Sequence, residues 1–204
     1  VEAIYGLVAL GLVHPNRVRR NADAKPGDQL ILGKPLGVGI YSAALKKNAL
    51  TEDLYKKMIA TTTQLNTPGA LLSEFDGVHA ITDVTGFGLA GHCLELAKGS
   101  SLSAVIHWPS VPLLPEALSL AKQGFITGAS GRNWEGYGAL IRMPEALGPI
   151  ERALLSDPQT SGGLLVSCSP EAVPQVLQCM MQEGFDPAVI GECQPGPAGV
   201  SITL

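Results

Sequence analysis

The chain has 204 residues, 46% of them hydrophobic, and a formal charge of −4. That length can bury a full core, and the negative balance, with no basic block to offset it, argues against a nucleic-acid surface. No apolar run approaches the roughly 20 residues that cross a bilayer. No signal-peptide pattern opens the sequence, so no membrane partner is expected and the compartment is expected to be cytoplasmic.

In chain order, residues 4–13 are nearly continuous in hydrophobicity and read as a strand covered on both faces. A lone strand needs partners. Residues 1–25 are therefore expected to be the terminal strand and linker of a truncated N-terminal ATP-binding domain, with residues 26–204 as the main domain. Arg17, Arg19 and Arg20 fall in a polar loop, residues 16–28, that ends in the turn signal Lys25-Pro26-Gly27-Asp28. Leu30-Ile31-Leu32 starts a strand that runs into Gly33-Lys34-Pro35-Leu36-Gly37, where Lys34 either reaches an anion or is solvated at a strand end.

Residues 41–48 are expected as a short helix. Thr51 caps a longer one, with Glu52 and Asp53 in its first turn and Leu54, Met58 and Leu65 on one face. Residues 70–75 add a helical turn or two. Residues 78–82 form a strand that ends on Asp83, followed by a Gly-containing turn and an amphipathic helix from about Phe87 to Lys98 that Gly99 ends. Strand, acid, tight turn and helix start suit a metal–phosphate site, because turn N–H groups and the helix dipole attract phosphate while the carboxylate holds the cation. The other reading makes Asp83 a helix cap.

Residues 102–108 are expected as a strand and residues 116–123 as a helix. Residues 124–138 contain Gly128, Gly131, Arg132, Asn133 and Gly136 and read as a long loop, functional or mobile, in which Arg132 either clamps a phosphate or is a loop arginine that holds no ligand. In Asp157-Pro158-Gln159-Thr160-Ser161-Gly162-Gly163 an acid and two hydroxyls precede two glycines and a strand. That turn is either an anion nest or a locally satisfied backbone. The chain closes with helix, strand, turn and strand, a β-α-β-β tail. The fold class is α/β in the mixed sense, a mixed β-sheet layered with helices and partly ferredoxin-like in topology.

Cys93, Cys168, Cys179 and Cys193 lack CxxC spacing and read as buried thiols. His14, His79, His92 and His107 show no paired metal spacing, and His92, inside the helix after Asp83, reads as structural or supporting.

Thr82-Asp83-Val84-Thr85-Gly86-Phe87-Gly88-Leu89-Ala90-Gly91-His92 and Ser156-Asp157-Pro158-Gln159-Thr160-Ser161-Gly162-Gly163-Leu164-Leu165 resemble the two signature stretches of the selenophosphate synthetase (selenide, water dikinase) family. Leu32-Gly33-Lys34-Pro35-Leu36-Gly37 and Gly131-Arg132-Asn133 are similar to it as well, so the resemblance spans essentially the whole chain. It implies an aminoimidazole ribonucleotide synthetase C-terminal-domain-like fold. It also implies an enzyme that uses Mg2+, with ATP and selenide as substrates, and makes selenophosphate, AMP and orthophosphate. The product serves selenocysteine and selenium-modified tRNA synthesis, and the full-length family member is a homodimer. Asp83 matches a family magnesium ligand. Thr85, Gly86, Lys34, Arg132, Asn133, Asp157, Thr160 and Ser161 carry over as phosphate- or substrate-binding candidates.

The family's nucleophilic Cys or selenocysteine and its catalytic Lys are expected before Val1, so this stretch alone is expected to be inactive. Two alternatives stay open: another ATP-dependent enzyme of the superfamily, of the thiamine-phosphate kinase or purine synthetase type, and a non-catalytic C-terminal binding module.

Overall fold

The computed structural model describes Gly6, Val8 and residues 10–204. Residues 4, 5, 7 and 9 of the strand expected over residues 4–13 lie outside the described residues, and residues 10–14 belong to no strand. From there the chain runs through β1 (Gln29–Leu32), α1 (Val38–Lys46), α2 (Glu52–Thr63), α3 (Pro68–Leu72), β2 (Val78–Asp83), α4 (Gly88–Ser100) and β3 (Ser103–His107). It continues through α5 (Ala117–Lys122), α6 (Gly128–Tyr137), β4 (Ile141–Arg142), α7 (Pro149–Leu155), β5 (Leu164–Cys168), α8 (Val173–Gln182), β6 (Ala188–Gln194) and β7 (Gly199–Thr203). Among the described residues no helix is long and apolar enough to cross a membrane.

The strands join into one mixed sheet in the order β2-β5-β1-β6-β3-β7-β4. Side-chain alternation explains why both faces are covered. Leu30 and Leu32 of β1 face one cluster, with α4, while Ile31 between them faces the other, with α8. In β5, Leu165 joins the first cluster and Leu164, Val166 and Cys168 the second. A third cluster gathers α1, α5 and Leu154 of α7 beside the sheet.

The β5-α8-β6 unit is a split β-α-β, because β1 pairs antiparallel with both β5 and β6 and so lies between them. β3 likewise separates β6 from β7, pairing antiparallel with the former and parallel with the latter. The turn at 195–198 therefore joins strands that are not neighbours. The expected mixed sheet with partial ferredoxin-like topology is the observed one.

Four local expectations need correction. Residues 124–138 form a helix over most of their length: the Thr127 hydroxyl accepts from Ser130 N, and Trp134 and Tyr137 of α6 pack on the core. Gly99 does not end α4. Its missing side chain makes room for Ala22, whose Cβ lies 2.8 Å from where a Cβ at Gly99 would sit, and Ser101 takes the left-handed C-cap with φ 56°. α2 stops at Thr63, which leaves Leu65 exposed. α1 begins at Val38 rather than residue 41, because side chains from far along the chain cap it there.

The linker is pinned by a buried acid. Asp28 accepts from Lys25 N at 2.9 Å, from the Ser167 hydroxyl at 2.7 Å and lies 2.8 Å from His79 Nδ1. These contacts tie the start of β1 to β5 and β2, since a buried carboxylate is tolerated only when it is hydrogen-bonded.

Candidate functional site

β2 and β5 pair antiparallel, with Asp83 opposite Leu164, so the ends of the two signature stretches lie side by side. The second wraps the first. Val84 N donates to Gly163 O at 2.9 Å, and Gln159 N donates to Thr85 O at 3.0 Å. Only glycine fits at this contact: a Cβ on Gly162 would lie 1.9 Å from Val84 O, and one on Gly163 would lie 2.3 Å from Lys34 N. Gly88, at φ +71°, sits against the Ser156 backbone at 2.6 Å by the same measure.

Lys34 is buried, 2% exposed, and its Nζ donates to Ser161 O and Gln64 O at 2.7 Å each and to Thr61 O at 3.2 Å. An ammonium has three N–H bonds, and all three are used. Two of the acceptors are carbonyls at the C-terminal end of α2, where a cation also meets the negative end of the helix dipole. Burial pushes the Lys34 pKa down.

Asp157 is fully buried, and its Oδ2 accepts from Gly39 N at 2.9 Å, Ile40 N at 3.3 Å and Gln159 Nε2 at 2.8 Å. Gln159 Oε1 accepts from Gly37 N at 3.2 Å and Val38 N at 3.3 Å. The two side chains together satisfy the first N–H groups of α1, the groups every helix leaves without an internal partner. Burial pushes the Asp157 carboxyl up to about 7 against those donors.

Asn133 of α6 donates through Nδ2 to Gly86 O at 2.8 Å and Ser156 O at 3.0 Å. It thus clips the turn after Asp83 to the start of the second stretch. Tyr137 adds an O–H donation to Phe87 O at 2.5 Å. Arg132, beside Asn133, is exposed at the surface of α6.

Asp83, Gly86, Thr160 and Ser161 are exposed, with Thr85 half-buried between them. Ser161 adopts φ 51°, a left-handed conformation that turns the chain at this tip. Val84 beneath is fully buried. The geometry is one exposed carboxylate, two exposed hydroxyls and a glycine turn on a rigid floor. Among the described residues no group of three or more His, Cys, Asp or Glu could hold a metal ion. Asp83 offers a hard oxygen of the type magnesium takes, so the chain's own residues fit one ligand of such a site, not a closed cage.

The spacing of motifs found the Asp83 turn and its partner stretch. It did not find the commitments of Lys34, Asp157 and Gln159 to the backbone, whose partners lie far along the chain. A neighbouring contact also went unread: His92 Nε2 is 3.2 Å from Thr85 Oγ1.

Comparison with known proteins adds three findings. The family described as AIR synthase related protein, C-terminal domain, matches residues 25–203. The chain is 60% identical over 203 residues to a protein named selenide, water dikinase from Burkholderia orbicola, covering 99% of this chain and 57% of that protein. It is 58% identical to the protein of that name from Dechloromonas aromatica, of which it covers 58%, and 52% identical to the one from Rhizobium meliloti, with the same coverage. The chain thus spans somewhat over half the length of the curated relatives it matches. Among solved structures, thiamine-monophosphate kinase from Stenotrophomonas maltophilia shares the fold with a TM-score of 0.67 at 19% identity, over 93% of this chain and 54% of that one. Hydrogenase maturation protein HypE in complex with ATP shares it at 0.62 and 16%, over 90% of this chain and 49% of that one.

Proposed function

Because the chain belongs to the AIR synthase related protein family through its C-terminal domain, we propose that it is the C-terminal portion of a selenophosphate synthetase. The full-length protein would convert selenide and ATP to selenophosphate, AMP and phosphate, as a cytoplasmic homodimer. The observation that carries this reading is the identity of 52 to 60% to proteins named selenide, water dikinase along the chain's whole length. The 16 to 19% identity to the kinase and maturation-protein structures supports a common fold and no choice of substrate.

In this reading Asp83 is one ligand of Mg2+, which when bound neutralises charge on the phosphates of ATP. The hydroxyls of Thr160 and Ser161 and the N–H of Gly86 are donors toward phosphate oxygens on the same lip. Phosphoryl transfer is mostly positioning and charge neutralisation, so one ligand and a few fixed donors are a material contribution. Arg132 stays a phosphate candidate from α6. Lys34, Asn133 and Asp157 serve instead as scaffold, because their polar atoms face backbone that they hold in place.

The deciding experiment is product analysis of the full-length protein with ATP and Mg2+, with and without selenide. AMP formed in step with selenophosphate supports the assignment. ATP cleavage indifferent to selenide, or transfer to a thiamine phosphate, refutes it.

A further inference from the structure

His92 lies one helical turn into α4 with its ring against the turn that follows Asp83. The residue is 7% exposed, and its ring stands 5.8 Å from that of Phe87, tilted by 45°. Its Nε2 meets Thr85 Oγ1 at 3.2 Å. Its Nδ1 is 2.9 Å from Glu95 Oε2 yet has no partner in hydrogen-bonding geometry, so the carboxylate acts on it by charge. The negative charge of a carboxylate oxygen at that distance favours the tautomer with the ring hydrogen on Nδ1 over one with a lone pair there. In the neutral ring Nε2 is then an acceptor, and the Thr85 hydroxyl must donate to it.

That donation fixes what Thr85 shows to solvent. The backbone of Thr85 is already held, since its carbonyl accepts from Gln159 N at 3.0 Å and Gly88 N at 3.1 Å. With the hydroxyl hydrogen turned inward, Oγ1 presents lone pairs outward, two residues from the Asp83 carboxylate. We propose that His92, biased by Glu95, is a positioning residue that makes Thr85 an acceptor for the hydration shell of a divalent cation held at Asp83. An outward-facing acceptor receives hydrogen bonds from cation-bound water and repels an unprotonated phosphate oxygen, so Thr85 belongs to the cation half of the lip and the 160–161 hydroxyls to the phosphate half. The proposal rests on the selenophosphate synthetase reading only for the identity of that cation's reaction.

Two measurements test it. Nitrogen-15 spectra of the imidazoles in the 204-residue chain read the tautomer without any enzyme activity: Nδ1–H is expected for His92, and an Nε2–H ring overturns the proposal. In the full-length protein, half-saturating free Mg2+ for ATP cleavage should rise about fivefold in His92→Leu and in Thr85→Val, the loss of roughly one hydrogen bond. His92→Gln, whose amide oxygen replaces the acceptor, should stay near wild type, and the Leu–Val double variant should be no worse than either single one. Additive losses, or a wild-type Mg2+ response in His92→Leu, overturn the positioning role. If wild type cleaves ATP without regard to selenide, the parent reading falls, while the tautomer and the Mg2+ series still decide this one.

Discussion

Asp157 spends a carboxylate on capping a helix more than a hundred residues away, and that choice has a signature in pH. Burial lifts its folded pKa from an ordinary 3.8 to about 7. Between those values the folded state binds more protons than the unfolded one, so this group's contribution to stability is full below about pH 4 and falls as pH rises toward 7. The loss approaches roughly 4 kcal/mol at complete ionisation. Denaturant unfolding of wild type and Asp157→Asn at pH 5 and pH 8 should show the difference between them moving in favour of the variant at the higher pH; a constant difference contradicts the titration. Lys34→Met should lower stability by about 3 kcal/mol at neutral pH, because one buried and two part-buried carbonyls lose a charge-assisted donor. An unchanged denaturation midpoint would refute the pin. Neither role is readable from local pattern, since Lys34 and Ser161 are 127 residues apart and Gly39 and Asp157 are 118. A lysine after a strand looks solvated until the fold brings a helix end and a turn onto its ammonium.

The clasp between the β2–α4 turn and the stretch before β5 depends on what its glycines leave out. Gly86 has open space where a Cβ would go, whereas at Gly162 that atom would overlap Val84 O. Gly86→Ala should therefore leave thermal stability within about 0.5 kcal/mol of wild type. Gly162→Ala should cost several times as much, since the obstacle is backbone and cannot swing away. Paired melting curves check this, and equal shifts would refute the close approach. Both stretches were legible as motifs, and β1, α2, β2 and β6 as elements, because apolar runs, a Thr cap and Gly-Pro punctuation mark them locally. α6 was not: four glycines, at 128, 131, 136 and 138, lie within or just after it and signal a loop. Trp134 and Tyr137 pack on the core and Asn133 holds the Gly86 turn, so tertiary contact overrides propensity. β4 has only two residues and exists by parallel pairing with β7, a partner no local window contains.

At the scale of the molecule, the sheet brings the two signature stretches together at one end and keeps its thiols buried. Cys93, Cys168 and Cys193 are fully buried and Cys179 is nearly so, and burial pushes every one of these thiols up, Cys168 and Cys193 to about 12. Burial thus disfavours the thiolate at all four, which argues against any of them as a nucleophile. Asp83 is the opposite case: an exposed carboxylate at the end of β2 whose side chain makes no hydrogen bond or ion pair among the described residues. The two properties make a separable prediction. Asp83→Asn should leave unfolding of the 204-residue chain within about 0.5 kcal/mol of wild type. In the full-length protein the same change removes the charged ligand proposed for Mg2+ and, under that proposal, should lower Mg2+-dependent turnover by at least about tenfold, the scale expected for loss of one electrostatic contact in phosphoryl transfer. Excess Mg2+ should recover part of the loss if binding is what failed. A variant with wild-type Mg2+ dependence removes Asp83 from the cation site, and one that unfolds early makes it a structural residue. Only intact stability together with impaired Mg2+-ATP use fits a carboxylate held at the lip for a ligand.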